Sequence, residues 1–384
     1  MNVLLSLDGL SYQLFEHYAS TFIKNGFFYC KKLITTFPSV TFNAHATAIT
    51  GNQFDKHLVV DNVLSRTGSR DKVLLYGDHE LICNEALHRQ TLFYSLANKG
   101  LKSCCIHWPL TSGNIYIDHL VTESSSKKKI SDAEPIDKMD QLALQEAIQA
   151  IASGAFDFIA ARFVGYDALS HKHGKESPEA LRCLHTLLGY IAKIHNELEK
   201  SQAAYNLIVF SDHGQSDVRT FFYPNEVLAR SRWRQHLLAN QIRFVGDGSG
   251  ALLFYSSLEP WENAEIMDYF NGLAEVNRFY VVEGDAASEF IPAGILDLNH
   301  TVCGEDILAP EQPQYEEMKS LHGYHPDNVD EMNGFMVGIG RQIKPGKVME
   351  QEHLQNIAPT LAKLFQIPHI CDGREINDII REHD

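Results

Sequence analysis

Apolar runs recur along the chain, and each is closed by a charged or small polar residue. Val3-Leu4-Leu5-Ser6-Leu7 stops at Asp8-Gly9, Leu101 to His107 stops at Trp108-Pro109, and Asp157 to Phe163 leads into Gly165-Tyr166-Asp167. Asn206 to Phe210 runs into Ser211-Asp212-His213-Gly214, and Gly334 to Ile339 follows His322-Gly323-Tyr324. Unbroken apolar runs of this length predict strands buried on both faces. Phe27 to Cys30 and Lys72 to Tyr76 read as further extended segments.

Between them, apolar residues fall at helical spacing over 10–19, 91–99, 136–152 and 353–365. The clearest case starts at Ser177-Pro178-Glu179 and carries Leu181, Leu184, Leu187, Leu188, Ile191 and Ile194 to about Lys200. This alternation predicts an α/β fold, doubly wound, with a mainly parallel central sheet and helices on both faces. Residues 223–310 are less regular, with strands over 250–255 and 278–282 and a helix over 262–274. They are expected to form a smaller α+β insertion or cap, the main domain being 1–222 and 311–384. Asn52 to Arg70 reads as a polar loop, and Ser124-Ser125-Ser126-Lys127-Lys128-Lys129 as a mobile, solvated one.

The chain has 384 residues and 44% apolar content, enough for a full core. Its 33 basic against 49 acidic residues give a formal charge of −16, which argues against a general affinity for nucleic-acid backbones or anionic membranes. No stretch reaches membrane-spanning length, and the N-terminal run lacks the basic residue and the length of a secretion signal. The seven cysteines include no Cys-x-x-Cys, which fits reduced thiols and a cytoplasmic protein.

The chemistry-bearing residues sit where the predicted strands end. Asp8, Asp167 with His171, and Asp212 with His213 follow buried strands, and His322 precedes the one at 334. In a doubly wound sheet these ends form the ligand crevice, so residues far apart in sequence would face one site. Each alone has an ordinary reading, as a helix cap or a satisfied core histidine. Together they make an oxygen and nitrogen ligand set without thiolates, suited to two divalent metal ions, zinc foremost. Phe37-Pro38-Ser39-Val40-Thr41-Phe42 opens a helical segment closed by Thr50-Gly51, so Thr41 stands at a helix mouth. There it reads either as an ordinary cap or as a hydroxyl beside a bound anion.

In this order, Asp8, the Thr41 segment with His45, Asn62, Asp167-x-x-x-His171, Ser211-Asp212-His213-Gly214 and His322-Gly323-Tyr324 resemble the alkaline phosphatase superfamily, and within it the nucleotide pyrophosphatase/phosphodiesterase branch. The resemblance runs from residue 3 to Asp372-Gly373-Arg374. It implies that Asp167, His171 and His322 hold one zinc and that Asp8, Asp212, His213 and Thr41 hold the other. It further implies that Thr41 is the nucleophile, forming a covalent threonyl-phosphoryl intermediate, and that Asn62 and the Thr41 N–H donate to a nonbridging phosphate oxygen. Phe42 matches a base-stacking position, with core packing as the ordinary alternative.

The implied activity is hydrolysis of phosphodiester or pyrophosphate bonds, with a small phosphate ester or nucleotide as substrate. Phosphonoacetate-type phosphonates, phosphomonoesters, or phosphate-ligand binding without turnover are the alternatives. The chain departs from the branch at Asn43-Ala44, where Pro-Asn is usual, at Leu58 after His57, where glycine is common, and at Ser170. These departures touch the surroundings of the substrate and none of the implied ligands.

Overall fold

The computed structural model describes residues 1–18, 26–76, 85–128, 137–282, 290–308, 315 and 317–381. Lys129 and the boundary expected near 310 lie outside the described residues.

Eight strands form the central sheet, in the order Val348–His353, Phe28–Ile34, Gly334–Gly340, Asn206–Phe210, Asn2–Leu7, Phe158–Phe163, Ser103–Ile106, His119–Val121. The Asn2–Leu7 strand lies between Phe158–Phe163 and Asn206–Phe210, parallel to both, with Val3 opposite Ile159 and Leu207. Its side chains alternate between two cores. Val3, Leu5 and Leu7 pack against the long Pro178–Lys200 helix, whereas Leu4 faces the side carrying the Thr41–Thr50 and Ile357–Phe365 helices. Helices on both faces thus bury every residue of this strand, as its unbroken apolar run requires.

One strand departs from the parallel arrangement. Gly334–Gly340 runs antiparallel to both neighbours, Phe28–Ile34 and Asn206–Phe210. The reversal has a consequence for the site, because residues that precede this strand arrive at the same sheet edge as residues that follow the others. His322 reaches the end of the Asn206–Phe210 strand in this way.

Within 223–310, Ile242–Val245, Ala251–Ser256, Gly294–Leu298 and Val276–Val281 build a separate four-stranded antiparallel sheet in that order. Leu252 and Phe254 point to the side packed by the Pro260–Asn271 helix, and Ala251, Leu253 and Tyr255 point to a core that contains Phe42, Ala46 and Val60. The second sheet therefore packs directly on the Thr41 helix.

Local readings fail at short elements. The expected polar loop 52–70 contains a helix at Phe54–His57 and a strand at Val63–Ser65 that pairs with Lys72–Leu74. The expected solvated loop at Ser124 is a five-residue helix, Glu123–Lys127, capped by Thr122 Oγ1 accepting from the Ser125 N–H. Ser126 in it is buried, 2.8 Å from His107 Nε2.

Candidate metal and hydrolytic site

Thr41 is the first residue of its helix, preceded by the extended Val40, and its hydroxyl makes no cap. Instead Thr41 Oγ1 lies 3.1 Å from His213 Nε2. The ordinary capping role is therefore not the one this hydroxyl plays.

The three histidines share one arrangement. His171 Nδ1 is 2.8 Å from Ser320 O, His322 Nδ1 is 3.1 Å from Ser39 O, and His213 Nδ1 is 3.1 Å from Gly214 O. A carbonyl only accepts, so each Nδ1 carries the proton and each Nε2 is left with its lone pair. Backbone oxygens that fix the tautomer in this way are the usual support of metal-binding imidazoles. The rings are adjacent: His213 and His322 centroids are 4.0 Å apart, His171 and His322 5.1 Å.

The carboxylates close in on the same atoms. His171 Nε2 is 3.4 Å from Asp167 Oδ2, and His213 Nε2 is 3.5 Å from Asp8 Oδ1 and 3.3 Å from Asp212 Oδ2. Asp8 Oδ1 and Asp212 Oδ2 are buried and have no hydrogen-bond partner. Two orphaned carboxylate oxygens around a lone-pair nitrogen are what a cation site leaves when described without its ion, so this donor set fits divalent metal ions.

Two groups bring their ligand atoms within 4.8 Å of one another: Asp167 with His171 and His322, and Asp8 with Asp167 and His213. The first set is the expected one, and in the second Asp167 stands where Asp212 was expected. The Asp212 oxygen that faces His213 also lies 3.2 Å from His45 Nδ1, whose proton is committed to Thr41 O at 2.8 Å.

Electrostatics divide the acids. Burial pushes the Asp8 carboxyl up, and the neighbouring Asp212 and Asp167 add to this against the Arg162 guanidinium. Burial also opposes ionisation of Asp212 and Asp167, but the neighbouring imidazoles, whenever they carry a second proton, outweigh it and hold both well below the usual carboxylate range. Burial, together with His213, holds His322 well below its ordinary value.

The fold clamps these groups at every junction. Gly9 N donates to Asp212 Oδ1 at 3.2 Å, and Leu10 N donates to Ser211 Oγ at 3.0 Å. The bend after His213 needs a glycine, because a Cβ on Gly214 would stand 1.9 Å from Glu331 O. Gln215 Nε2 donates to Asp167 Oδ1 at 2.6 Å. Ser39, two residues before Thr41, donates its hydroxyl to Tyr324 O at 2.7 Å and accepts the Gly323 N–H at 3.1 Å, joining the Thr41 turn to the His322 turn.

Asn62 lies beside Thr41. Its Oδ1 accepts the Phe42 N–H at 3.0 Å, and its amide also hydrogen-bonds Asp247, leaving a second N–H for a ligand. Phe42 is 6% exposed and belongs mainly to the core, whereas Tyr76, 6.4 Å away between ring centroids, is 38% exposed.

Sequence reasoning missed Arg162, Gln215 and Tyr76, and took His45 only as part of a motif. Arg162 carried a signal, a cation within the apolar Phe158–Phe163 run. Gln215 and Tyr76 carried none.

A family model described as type I phosphodiesterase / nucleotide pyrophosphatase matches residues 2–266, more than half of the chain. Among solved structures, murine ectonucleotide pyrophosphatase/phosphodiesterase 5 is 14% identical, with 99% of each chain covered and a TM-score of 0.76. An inactive form of it in complex with AMP gives 0.77, and the human counterpart, 16% identical with 99% of each chain covered, gives 0.76. At these identities the likeness shows the fold, which is that of alkaline-phosphatase-like phosphodiesterases.

Proposed function

This chain belongs to the type I phosphodiesterase / nucleotide pyrophosphatase family of the alkaline phosphatase superfamily, a group of metal-dependent phosphodiester hydrolases, and from that premise we propose that it cleaves nucleotide-type diesters or pyrophosphates with Thr41 as nucleophile. The observation that carries the reading is the Thr41 hydroxyl at a helix start, 3.1 Å from a lone-pair imidazole nitrogen that two orphaned carboxylate oxygens approach.

Asp167, His171 and His322 would hold one divalent ion, and Asp8, Asp212, His213 and Thr41 the other, with zinc the metal that this donor set suits. Such a pair, when bound, supplies charge stabilisation for the attacking and departing oxygens of an in-line displacement. Thr41 Oγ1, its proton passing to water, attacks phosphorus, the leaving group departs with the electron pair of the broken P–O bond, and the phosphoryl group rests on Thr41. Water then attacks the same phosphorus, and the Thr41 hydroxyl is regenerated. The start of the Thr41 helix favours the negative charge gathering at Oγ1 and on the phosphate. Asn62, fixed through its Oδ1, offers an N–H to a nonbridging oxygen, a donation of the kind usually worth 10²- to 10³-fold in rate. Tyr76, exposed beside the mostly buried Phe42, offers the larger aromatic face for a base, with Phe42 contributing its edge. The AMP complex of the murine enzyme supports a nucleotide.

The test is a zinc-replete comparison of thymidine-monophosphate p-nitrophenyl ester, bis-p-nitrophenyl phosphate, p-nitrophenyl phosphate and phosphonoacetate. The expected order places the two diesters first. A more than tenfold preference for the monoester or the phosphonate would contradict the diesterase reading, and folded, zinc-replete protein inert to all four would contradict catalysis.

A further inference from the structure

Arg162 is 7% exposed and stands in the middle of the apolar Phe158–Phe163 strand. Burying a guanidinium is costly unless every charge around it is paired, so its contacts identify what it is for. Its Nε lies 2.6 Å and its Nη2 2.5 Å from the same oxygen of Asp8, Oδ2. Its Nη1 is held by Glu123 Oε1, 2.5 Å away. The fork therefore fills one oxygen of Asp8 and leaves the other, Oδ1, without a hydrogen bond and 3.5 Å from His213 Nε2.

Glu123 is itself fixed. It opens the short helix whose start is capped by Thr122, and three residues on Ser126 is hydrogen-bonded to buried His107. A chain of contacts thus runs from this helix through Glu123 and Arg162 to the Asp8 carboxylate.

We propose that Arg162, braced by Glu123, is a positioning residue that rotates Asp8 so that only Oδ1 is presented to the ion on the Thr41 side. This inference rests on the two-ion reading given above. Geometry, rather than charge alone, carries it. A lysine at this position would keep the positive charge, but its single ammonium cannot reach Asp8 and Glu123 together in the same planar fork. Asp8 would then be free to turn, and the outer support of a ligand is typically worth 10- to 100-fold in metal affinity. Among the described residues the Arg162 side chain makes its hydrogen bonds and ion pairs to Asp8 and Glu123 and none to Asp167, His171 or His322, so that group should be indifferent to the change.

Zinc titrations of metal-free wild type, Arg162→Lys, Glu123→Gln and Asp8→Asn, read by calorimetry in a zinc buffer, test this. Wild type is expected to take up two zinc ions per chain. Arg162→Lys should keep one binding step unchanged and weaken the other at least tenfold, the weakened step being the one that Asp8→Asn removes. Glu123→Gln, which keeps a neutral acceptor for Nη1, should weaken the same step about threefold or more. Near-UV circular dichroism of the metal-free variants checks their folding, and Glu123→Gln carries the test if Arg162→Lys does not fold. Two wild-type-like steps in the folded variants, or equal weakening of both, would overturn the positioning role. Fewer than two ions on wild type would instead overturn the two-ion reading, and the proposal with it.

Discussion

At the residue scale, the site depends on how backbone carbonyls dictate which histidine nitrogen is free. Serine and glycine carbonyls hold Nδ1 of His171, His213 and His322, so all three offer Nε2 to one place. His57 shows the opposite use of a buried imidazole. It is 1% exposed, its Nδ1 accepts the Val59 N–H, and burial lowers its pKa to about 3. Between about 3 and the unfolded value near 6.5 the unfolded chain binds the extra proton. His57 therefore stabilises the fold above pH 6.5, and that contribution is lost as pH falls toward 3, at up to about 1.4 kcal/mol per pH unit. Urea unfolding from pH 7 to 4.5 should show His57→Gln with a shallower acid loss than wild type, and identical slopes would rule this out. The candidate residues Asp8, Asp167, Asp212 and His213 were legible in the sequence because they follow apolar runs. The charge of Arg162 within an apolar run was visible, but its role and that of Gln215 were not, because their partners Asp8, Glu123 and Asp167 come from distant segments that only the fold brings together.

At the element scale, the Gly165–His173 helix delivers both Asp167 and His171, yet its N-cap residue, Val164, has no capping side chain. The cap comes from another helix. Asp140 Oδ1 accepts the Val164 N–H at 2.8 Å and Oδ2 accepts the Gly165 N–H at 3.0 Å. Asp140→Ala should cost about 1–3 kcal/mol in urea unfolding through two stranded buried donors, and should weaken zinc binding at the His171 side. A loss under 0.5 kcal/mol would show the cap to be dispensable. Long elements were readable from periodicity, as with the Pro178–Lys200 helix and its buried Leu184, Leu187, Ile191 and Ile194. The helices Phe54–His57 and Glu123–Lys127 were not, since four or five residues are too few for a periodic signal, and tertiary contacts such as Ser126 with His107 make them.

At the scale of the whole molecule, the sheet edge gathers residues from 8 to 322. The alternating pattern was enough to place Asp8, Asp167 and Asp212 on a common edge. It did not reveal that the Gly334–Gly340 strand is antiparallel, the feature that brings His322 to the same edge from the opposite chain direction. Nor did it show that the second sheet packs on the Thr41 helix through Leu253 and Tyr255, placing residues near 247 beside Asn62. The departures at Asn43-Ala44 lie away from this contact, with Ala44 in the main-sheet core that includes Leu4 and Phe210. Asn43 is fully buried and donates to Pro38 O at 3.0 Å, so it serves the turn that presents Thr41. The central claim is that Thr41 is the nucleophile of this assembled site. It is tested most directly by turnover of thymidine-monophosphate p-nitrophenyl ester by zinc-loaded wild type and Thr41→Ala, each shown to be folded. Thr41→Ala is expected to lower kcat by at least about 10³-fold, within the effect of removing a nucleophile that forms a covalent intermediate. Turnover by Thr41→Ala within tenfold of wild type would contradict it.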